Sequence, residues 1–322
     1  MNAAKPVGSA SVITLTSPEL AVTIDPTYGA DITSIVARGS GRELLFQTPW
    51  QAAAERAIRD PGARLFFDSQ SDWLQKYRGG WQVLCPVASV GVGDAPPHTL
   101  FHGEASRAAW HVDSVNESEV RLVVDLVTEP LRITKSIKID AASVRVRDEV
   151  SNLGRLPVSF DFSHHVAFGA DLLSDACVVT SGASRFVRDP ASSATPDREH
   201  SLPWPPEDPA IASIPAPPGG IFEFGWLADF TSHWARIETT KGDLAVHLEW
   251  SENLPHAWLW KELEASAGWP WFGQARVVGI EPANVTTSGP NRAMRTTLDP
   301  DESVEFEISL QVESGTSHES NR

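Results

Sequence analysis

Strict alternation of apolar and polar side chains in the middle of the chain is the feature that most constrains the fold. Residues 131, 133, 137 and 139 are Leu or Ile, whereas residues 132, 134, 136 and 138 are polar. Residues 144–150 alternate in a similar way. Since successive side chains on a strand point to opposite faces, these segments predict an antiparallel sheet with one buried and one wet face. The fold class indicated is all-β.

Similar strand patterns extend through most of the chain. They occur at 12–15, 20–24 and 31–37, and again at 233–238, 243–250, 276–280 and 303–312. Residues 51–59 predict a short helix, and the aromatic stretch 64–78 is interpreted as a long functional loop. Nine prolines lie between Pro190 and Pro218. Because strand patterns resume beyond them, we expect a surface excursion within a single domain spanning 12–313, with flexible termini at 1–11 and 314–322.

Charge and composition exclude several classes of function. The 26 basic and 42 acidic residues give a formal charge of −16, and no basic stripe is present to neutralise nucleic-acid phosphates. The two cysteines are too few for a disulfide framework or a cysteine zinc site. No apolar run reaches the roughly 18 residues of a membrane span, and no signal peptide is indicated, so we expect a cytoplasmic protein.

A tryptophan-rich segment near the C-terminus ends in a carboxylate. Five of the 12 tryptophans fall between Trp250 and Trp271. Indole rings stack well on the apolar faces of sugars. Glu281 follows an apolar run, and Pro282 is expected to stop the strand there. This segment fits either a sugar site with a carboxylate beside an aromatic wall or a Trp-rich core with an edge glutamate.

Two further motifs, a pair of glycines and a pair of histidines, lie next to predicted strands. Gly79 and Gly80 precede Trp81, so the backbone could approach a ligand closely, or the pair could simply form a tight turn. His164 and His165 follow a predicted strand. Because neighbouring residues on an extended chain face opposite ways, we expect one imidazole in a cavity and the other on a packed or wet side.

One motif has the spacing of a metal site. His98, His102 and Glu104 lie close together on a predicted strand or turn. Two imidazoles and a carboxylate are able to bind a divalent ion, although this spacing is common by chance.

Seven of these segments resemble, in order, motifs of the aldose 1-epimerase (galactose mutarotase-like) family, over roughly residues 12–312. They are Tyr28-Gly29-Ala30 with Ile32-Thr33-Ser34-Ile35, Gly80-Trp81 through Pro86, His102-Gly103-Glu104, Val150-Ser151-Asn152, His164 to Gly169, Trp258 to Glu262, and Ile280-Glu281-Pro282. The resemblance implies a large antiparallel β-supersandwich with few short helices. It also implies a metal-independent isomerase without cofactor that binds a small sugar as a monomer or homodimer.

The resemblance also implies roles for individual residues. Glu281 matches the family's base, which takes the proton of the anomeric hydroxyl, and His165 matches the acid, which protonates the ring oxygen. His102 matches the family's first histidine, which hydrogen-bonds the sugar hydroxyls or assists the acid. The remaining residues expected to contact the sugar are Arg78, Trp81, Gln82, His164, Trp260 and Glu262. An arginine could accept an acidic sugar through a bidentate contact, so the substrate is a hexose or an acidic hexose derivative.

Two other functions remain open. One is a non-catalytic carbohydrate-binding protein on the same fold, since a fold does not fix a function. The other is a metal-dependent sugar isomerase or lyase that uses His98, His102 and Glu104. The epimerase hypothesis makes one spatial prediction: Glu281 and a middle imidazole lie on opposite sides of one pyranose pocket.

Overall fold

Antiparallel strands dominate the computed structural model, which describes residues 12–90, 99–190, 200–286, 288–289 and 295–314. In chain order they are β1 (Ile13–Thr16), β2 (Leu20–Asp25), β3 (Asp31–Ala37), β4 (Arg42–Glu43), β5 (Trp81–Leu84), β6 (His111–Val115), β7 (Glu119–Asp125), β8 (Leu131–Asp140), β9 (Ser143–Asn152), β10 (Val158–Phe160), β11 (Ser163–Phe168), β12 (Cys177–Ser181), β13 (Arg185–Arg188), β14 (Ser201–Pro203), β15 (Ser213–Ile214), β16 (Ile221–Ala228), β17 (Trp234–Thr239), β18 (Leu244–Trp250), β19 (His256–Leu263), β20 (Arg276–Ala283), β21 (Thr296–Leu298) and β22 (Ser303–Ser314). The predicted all-β class is confirmed.

The strands form two large sheets. The first has 11 strands in the order β1-β2-β3-β5-β11-β20-β19-β16-β13-β14, with β4 paired to β3. The second has nine strands in the order β15-β12-β17-β18-β22-β9-β8-β7-β6, and β10 pairs with β21 separately. Strands that precede and follow the proline-rich segment therefore belong to the same two sheets.

A continuous apolar core lies between the two sheets. It takes Val166, Leu259 and Ile280 from the first sheet and alternate residues of β8, β9 and β22 from the second. The rings of Phe162 and Phe306 stack across it with centroids 4.1 Å apart. The alternation of β8 and β9 thus buries one face of the second sheet and leaves the other face wet, as predicted.

Two α-helices occur among the described residues. α1 (Gln51–Arg59) has the predicted bounds. α2 (Ser69–Lys76) lies inside the stretch that was interpreted as a loop, so that interpretation was wrong. The Asp68 side chain begins α2 by accepting a hydrogen bond from the Ser71 N–H at 2.8 Å, which is a typical N-cap. Short 3-10 helices occupy Pro61–Ala63, Leu172–Ser174 and Pro209–Ile211. Neither these nor the α-helices of the described chain have the length and apolar character needed to cross a membrane.

The central strands of the first sheet are buried on both faces. All residues of β11, and all but the first residue of β19 and β20, are buried. Pro282 does not end β20, which continues to Ala283, so that expectation was wrong. The proline removes one donor, but its carbonyl still accepts a hydrogen bond from the Ser163 hydroxyl at 3.1 Å. One face of these strands packs on the second sheet, and the other is available to build a site.

Charged side chains are also buried between the sheets. Lys135 and Asp148 are 3% and 0% exposed. Burial raises the pKa of Asp148 to about 6 and lowers that of Lys135, and the opposite charge of each partner counteracts the shift. His164 Nε2 lies 3.5 Å from Asp148 Oδ2, and Trp81 Nε1 donates to His164 Nδ1 at 3.1 Å. The core therefore contains two opposite charges that influence each other without a direct ion pair, with a buried imidazole beside Asp148.

Removing one partner of this pair should be far more damaging than removing both. Asp148→Asn removes the larger of the two negative charges that act on the buried Lys135 ammonium, the other being Asp31, and we expect a loss of up to about 3–5 kcal/mol in the free energy of unfolding. The double variant Lys135→Met/Asp148→Asn should recover most of that loss. The measurement is urea unfolding followed by tryptophan fluorescence.

Asp125→Asn is the matched control. It breaks the exposed Arg132–Asp125 pair, whose Nε–Oδ1 distance is 2.6 Å. Because water screens this exposed pair, the loss should be much smaller than in Asp148→Asn. A double variant no more stable than Asp148→Asn would contradict the buried pairing.

Candidate active site

The register between β11 and β20 brings an imidazole and a carboxyl together. The strands pair antiparallel with Ser163 opposite Ala283 and Val166 opposite Ile280, which places His165 opposite Glu281. Directly opposed side chains on one sheet face have Cβ atoms about 4.5–5.5 Å apart. His165 Nε2 accordingly lies 3.6 Å from Glu281 Oε1, and both side chains are almost completely buried.

The placement corrects one expectation. Glu281 and His165 line the same cavity, but they lie side by side on its floor and not on opposite sides of it. The reason is that β11 and β20 are neighbours in one sheet, so their facing residues share a surface. The alternation predicted for the adjacent histidines agrees with the structure. His165 lines the cavity, and His164 faces Asp148 between the sheets.

The cavity has a volume of about 350 Å³ and is largely aromatic. Its floor comes from β11, β20, β19 and β16, and its walls come from α2, from residues 88–90 and 101–102, and from Trp271. The aromatic and aliphatic lining comprises Trp73, Leu74, Tyr77, Phe101, Phe222, Phe224, Trp258, Trp260, Trp271 and Val285. Among the described residues of the lining there is no lysine or arginine. Its size and apolar walls are typical of small-molecule sites.

Burial sets the protonation of the pair in the empty cavity. It raises the pKa of Glu281 to about 8 and lowers that of His165 to about 4. Both pKa shifts arise because burial in a site with little water disfavours the charged form of each group. Between these two values, the pair therefore carries one exchangeable proton, held on the carboxyl. His165 Nδ1 is buried and has no hydrogen-bond partner among the described residues.

His102 is held in the wall by its backbone and by its ring. Its φ of 59° lies in the left-handed region, which is uncommon for a residue with a side chain. Nδ1 lies 2.7 Å from the Ala88 carbonyl oxygen, which only accepts, so Nδ1 carries the proton in this contact. The His102 ring lies 4.5 Å from Trp73 and 5.7 Å from His165, measured between centroids. His102 thus joins His165 and Glu281 around one cavity.

Several predicted sugar contacts lie elsewhere. Arg78 does not line the cavity, because its guanidinium is held by Asp25 at 2.5 Å and by Asp31 at 3.3 Å. Trp81 packs in the core between the sheets and donates to His164. These placements give Arg78 and Trp81 structural contacts in place of the expected ligand contacts.

Two other predicted contacts are occupied by local backbone. Gln82 Nε2 donates to the Gly79 carbonyl at 2.7 Å. Glu262 Oε1 accepts from the N–H groups of Ala265 and Ser266 at 2.7 and 3.0 Å. Neither side chain lines the cavity, whereas Trp260 does.

The glycine pair approaches backbone and not a ligand. Gly79 and Gly80 have φ of 83° and 87°. A Cβ on Gly79 would overlap the Phe46 carbonyl, and one on Gly80 would lie 2.6 Å from the Ile32 carbonyl oxygen. The motif therefore serves the turn into β5, which was one of the two interpretations left open.

Residues of α2 are the main contributors that the sequence did not identify individually. Trp73, Leu74 and Tyr77 line the cavity, although only their stretch was expected to be functional. The N-cap at Asp68 was the signal that could have placed a helix here and grouped Trp73 with Tyr77 on its inner side.

The alternative metal site is only partly described. His98 lies outside the described residues. Glu104 accepts hydrogen bonds from the N–H groups of Val127 and Thr128, at 2.9 and 2.8 Å to Oε2. Within the described ranges, no group of three or more His, Cys, Asp or Glu side chains is arranged to hold a metal ion.

Solved structures with a similar fold include several proteins named for mutarotation. A candidate aldose 1-epimerase from Escherichia coli K12 is 18% identical, covers 95% of this chain and 99% of its own, and has a TM-score of 0.68. A galactose mutarotase related enzyme from Lactobacillus acidophilus is 15% identical with 95% and 99% covered and a TM-score of 0.66. A galactose mutarotase-like protein from Clostridium acetobutylicum is 17% identical with 94% and 95% covered and a TM-score of 0.64.

At these identities the similarity shows the fold alone, which is galactose mutarotase-like. No curated protein matches the sequence significantly. A family model, described as a domain of unknown function (DUF4432), matches residues 8–312. Since this match covers almost the whole chain, the protein belongs to the DUF4432 family.

Proposed function

We propose that this protein is an aldose 1-epimerase that interconverts the α and β anomers of an uncharged hexose. The single observation that carries the proposal is the buried pair of His165 and Glu281, 3.6 Å apart on the floor of an aromatic cavity. A carboxyl and an imidazole are the groups that general acid–base catalysis uses most often. The mutarotase-like fold supports the same reaction class.

In the proposed reaction the pair moves two protons. Glu281, as carboxylate, takes the proton of the anomeric hydroxyl, and His165, as imidazolium, gives a proton to the ring oxygen. The C1–O5 bond breaks while the electron pair of the O1–H bond forms the C1=O1 carbonyl. Rotation about C1–C2 and closure on the other face return both protons and give the other anomer.

The pair in its resting state already holds the proton that this reaction needs. A neutral carboxyl with a neutral imidazole contains as many protons as a carboxylate with an imidazolium. Transfer of one proton between Glu281 Oε1 and His165 Nε2, which are 3.6 Å apart, converts one form into the other. Sugar hydroxyls that enter the cavity favour the charged form, because they replace hydrogen bonds that burial had removed.

The cavity lining favours an uncharged sugar. Trp258 and Trp260 offer flat apolar surfaces of the kind that stack on pyranose rings. Arg78, the residue expected to bind an acidic sugar, is already neutralised by Asp25 and Asp31. No described lining residue supplies another arginine or lysine, so we propose a neutral aldose in place of a uronate or a sugar phosphate.

Substitution of either member of the pair should remove most of the activity. We expect Glu281→Gln and His165→Gln each to lower kcat by about 10²–10⁴-fold, the usual contribution of a positioned acid or base. Anomer exchange of neutral hexoses, hexuronates and hexose phosphates, measured by one-dimensional NMR, reports substrate and rate together.

Glu262→Gln is the matched control, since Glu262 is a buried glutamate on the neighbouring strand whose carboxylate contacts only the local turn. It should keep near wild-type activity. Exchange by Glu281→Gln as fast as by wild type would refute the assignment of the base. Sugar binding without any acceleration would leave a carbohydrate-binding protein, and loss of activity on chelation would favour the metal-dependent alternative.

The rate should depend on pH as expected for a pair with one shared proton. Below about pH 4 the pair gains a second proton and Glu281 cannot act as base; above about pH 8 the pair loses its one exchangeable proton and His165 cannot act as acid. We expect kcat/KM, corrected at each pH for spontaneous mutarotation, to be level between these values and to fall on both sides. A single limb near pH 6.5, the ordinary histidine pKa, would contradict this pairing.

Gly279 should control the position of the carboxyl. A Cβ at this site would lie 2.5 Å from Glu281 Oε1 and 3.4 Å from the Cβ of Trp260. Gly279→Ala should therefore displace the carboxyl and lower kcat by about 10–100-fold, as misplacements near 1 Å do. The unfolding midpoint should change little, because the displaced atom ends a flexible side chain.

Gly39→Ala is the control for this variant, since a Cβ there meets nothing within 4 Å. It should leave both rate and midpoint unchanged. Full activity in Gly279→Ala would show that the carboxyl does not need its present position.

A further inference from the structure

Tyr77 lines the cavity and carries a buried hydroxyl that the proposed reaction does not use. The residue is 3% exposed and lines the cavity. Its hydroxyl oxygen is buried and has no hydrogen-bond partner among the described residues. Native structures satisfy the large majority of buried polar groups, so an unsatisfied one that faces a cavity requires an explanation.

Ring packing, and not the hydroxyl, holds Tyr77 in place. The Tyr77 N–H donates to the Leu74 carbonyl at 3.3 Å at the end of α2. The phenol ring stacks on Trp73 at 4.8 Å between centroids and meets the His165 ring edge-on at 5.7 Å. Trp271 packs against another side at 6.3 Å. A phenylalanine would keep all of these contacts.

The hydroxyl is suited to donate a hydrogen bond. Burial raises the pKa of the Tyr77 phenol well above its ordinary value, and ionisation of Glu281 would raise it further. The phenol therefore keeps its proton. A sugar oxygen, either of the ring or of a hydroxyl, is an acceptor that fits such a donor.

We propose that the Tyr77 hydroxyl donates a hydrogen bond to an oxygen of the bound pyranose and orients the sugar over the His165–Glu281 pair. This inference rests on the proposed function, because it requires a neutral sugar in the cavity. Tyr77, the residue that follows α2, would thus add a third polar contact to those of His165 and Glu281 on the floor formed by β11 and β20. Tyr77 thus links the helix that forms the wall to the orientation of the substrate.

The second tyrosine of the chain is a matched control. The sequence contains two tyrosines, and the hydroxyl of Tyr28 is also buried without a hydrogen-bond partner in the described structure. Tyr28 does not line the cavity, and its ring packs under the Arg78 guanidinium at 5.9 Å. The two Tyr→Phe variants therefore both remove a buried hydroxyl without a partner, although Tyr28 as a whole is only half-buried, and only Tyr77 lines the cavity.

The test compares Tyr77→Phe with Tyr28→Phe in binding, rate and stability. The probes are D-glucose and D-galactose, with binding followed by quenching of tryptophan fluorescence and turnover followed by NMR anomer exchange. For Tyr77→Phe we expect kcat/KM to fall and Kd to rise by about tenfold, the size of one lost hydrogen bond. The urea midpoint should stay equal or rise, because an unsatisfied buried hydroxyl has been removed. Tyr28→Phe should keep wild-type binding and rate.

The outcomes separate this inference from the proposed function. Wild-type binding and rate in Tyr77→Phe, in an enzyme that Glu281→Gln inactivates, would overturn the inference and leave the proposed function standing. A urea midpoint of Tyr77→Phe low enough to account for its lost activity would also overturn the inference, because it would indicate a structural role. An equal loss of binding and rate in Tyr28→Phe would do the same. If the wild-type protein neither binds nor exchanges either sugar, both proposals fail together.

Discussion

The antiparallel register between β11 and β20 is the constraint on which the candidate site depends. It opposes His165 to Glu281 on one face of the sheet and, by the same geometry, sends His164 into the core. If β11 shifted by one residue along β20, its side chains would change faces. His164 would then lie beside Glu281, and His165 would enter the core. Such a slip is strongly resisted, because Val166, which shares the face of His164, would then leave the apolar core between the sheets. The hydrophobic packing of the sandwich thus fixes the distance between the two titratable groups.

The same burial that fixes the geometry also sets the chemistry. A strand buried on one face only would leave Glu281 in water, where its pKa stays near its ordinary value and its affinity for a proton is low. Here α2 and Trp271 cover the second face, and the pKa values of carboxyl and imidazole move apart to about 8 and about 4. Over the intervening pH range both groups are uncharged. In the proposed reaction the aromatic walls would therefore set the protonation of the pair as well as offer a surface to the sugar.

Features set by local periodicity were predictable from the sequence, whereas features set by long-range pairing were not. Alternation predicted β8, β9 and the opposite orientations of His164 and His165, and helix Gln51–Arg59 was predicted with the bounds that it has. Arg78 was misassigned because its partners Asp25 and Asp31 lie 53 and 47 residues away, and only the folded sheet brings them together. Glu262 was misassigned because a carboxylate that satisfies a turn looks the same in sequence as one that faces a ligand. The side-by-side arrangement of His165 and Glu281 required the strand order, which no local pattern contains.

Polar groups on the two sides of β11 have different surroundings. On the core side, His164 has the Trp81 donor at one nitrogen and Asp148 beside the other, and the charge of Asp148 is balanced by Lys135. On the cavity side, His165 Nδ1 and the Tyr77 hydroxyl have no partners in the described chain. Desolvation is unfavourable on both sides, and His164 Nε2 and the Asp148 carboxylate oxygens also lack hydrogen-bond partners in the described structure. The core side differs because the Trp81 donor and the charge of Lys135 offset part of the desolvation there. His165 and Tyr77 line one cavity of about 350 Å³, so a ligand with several hydroxyls would gain the interactions that folding left unmade.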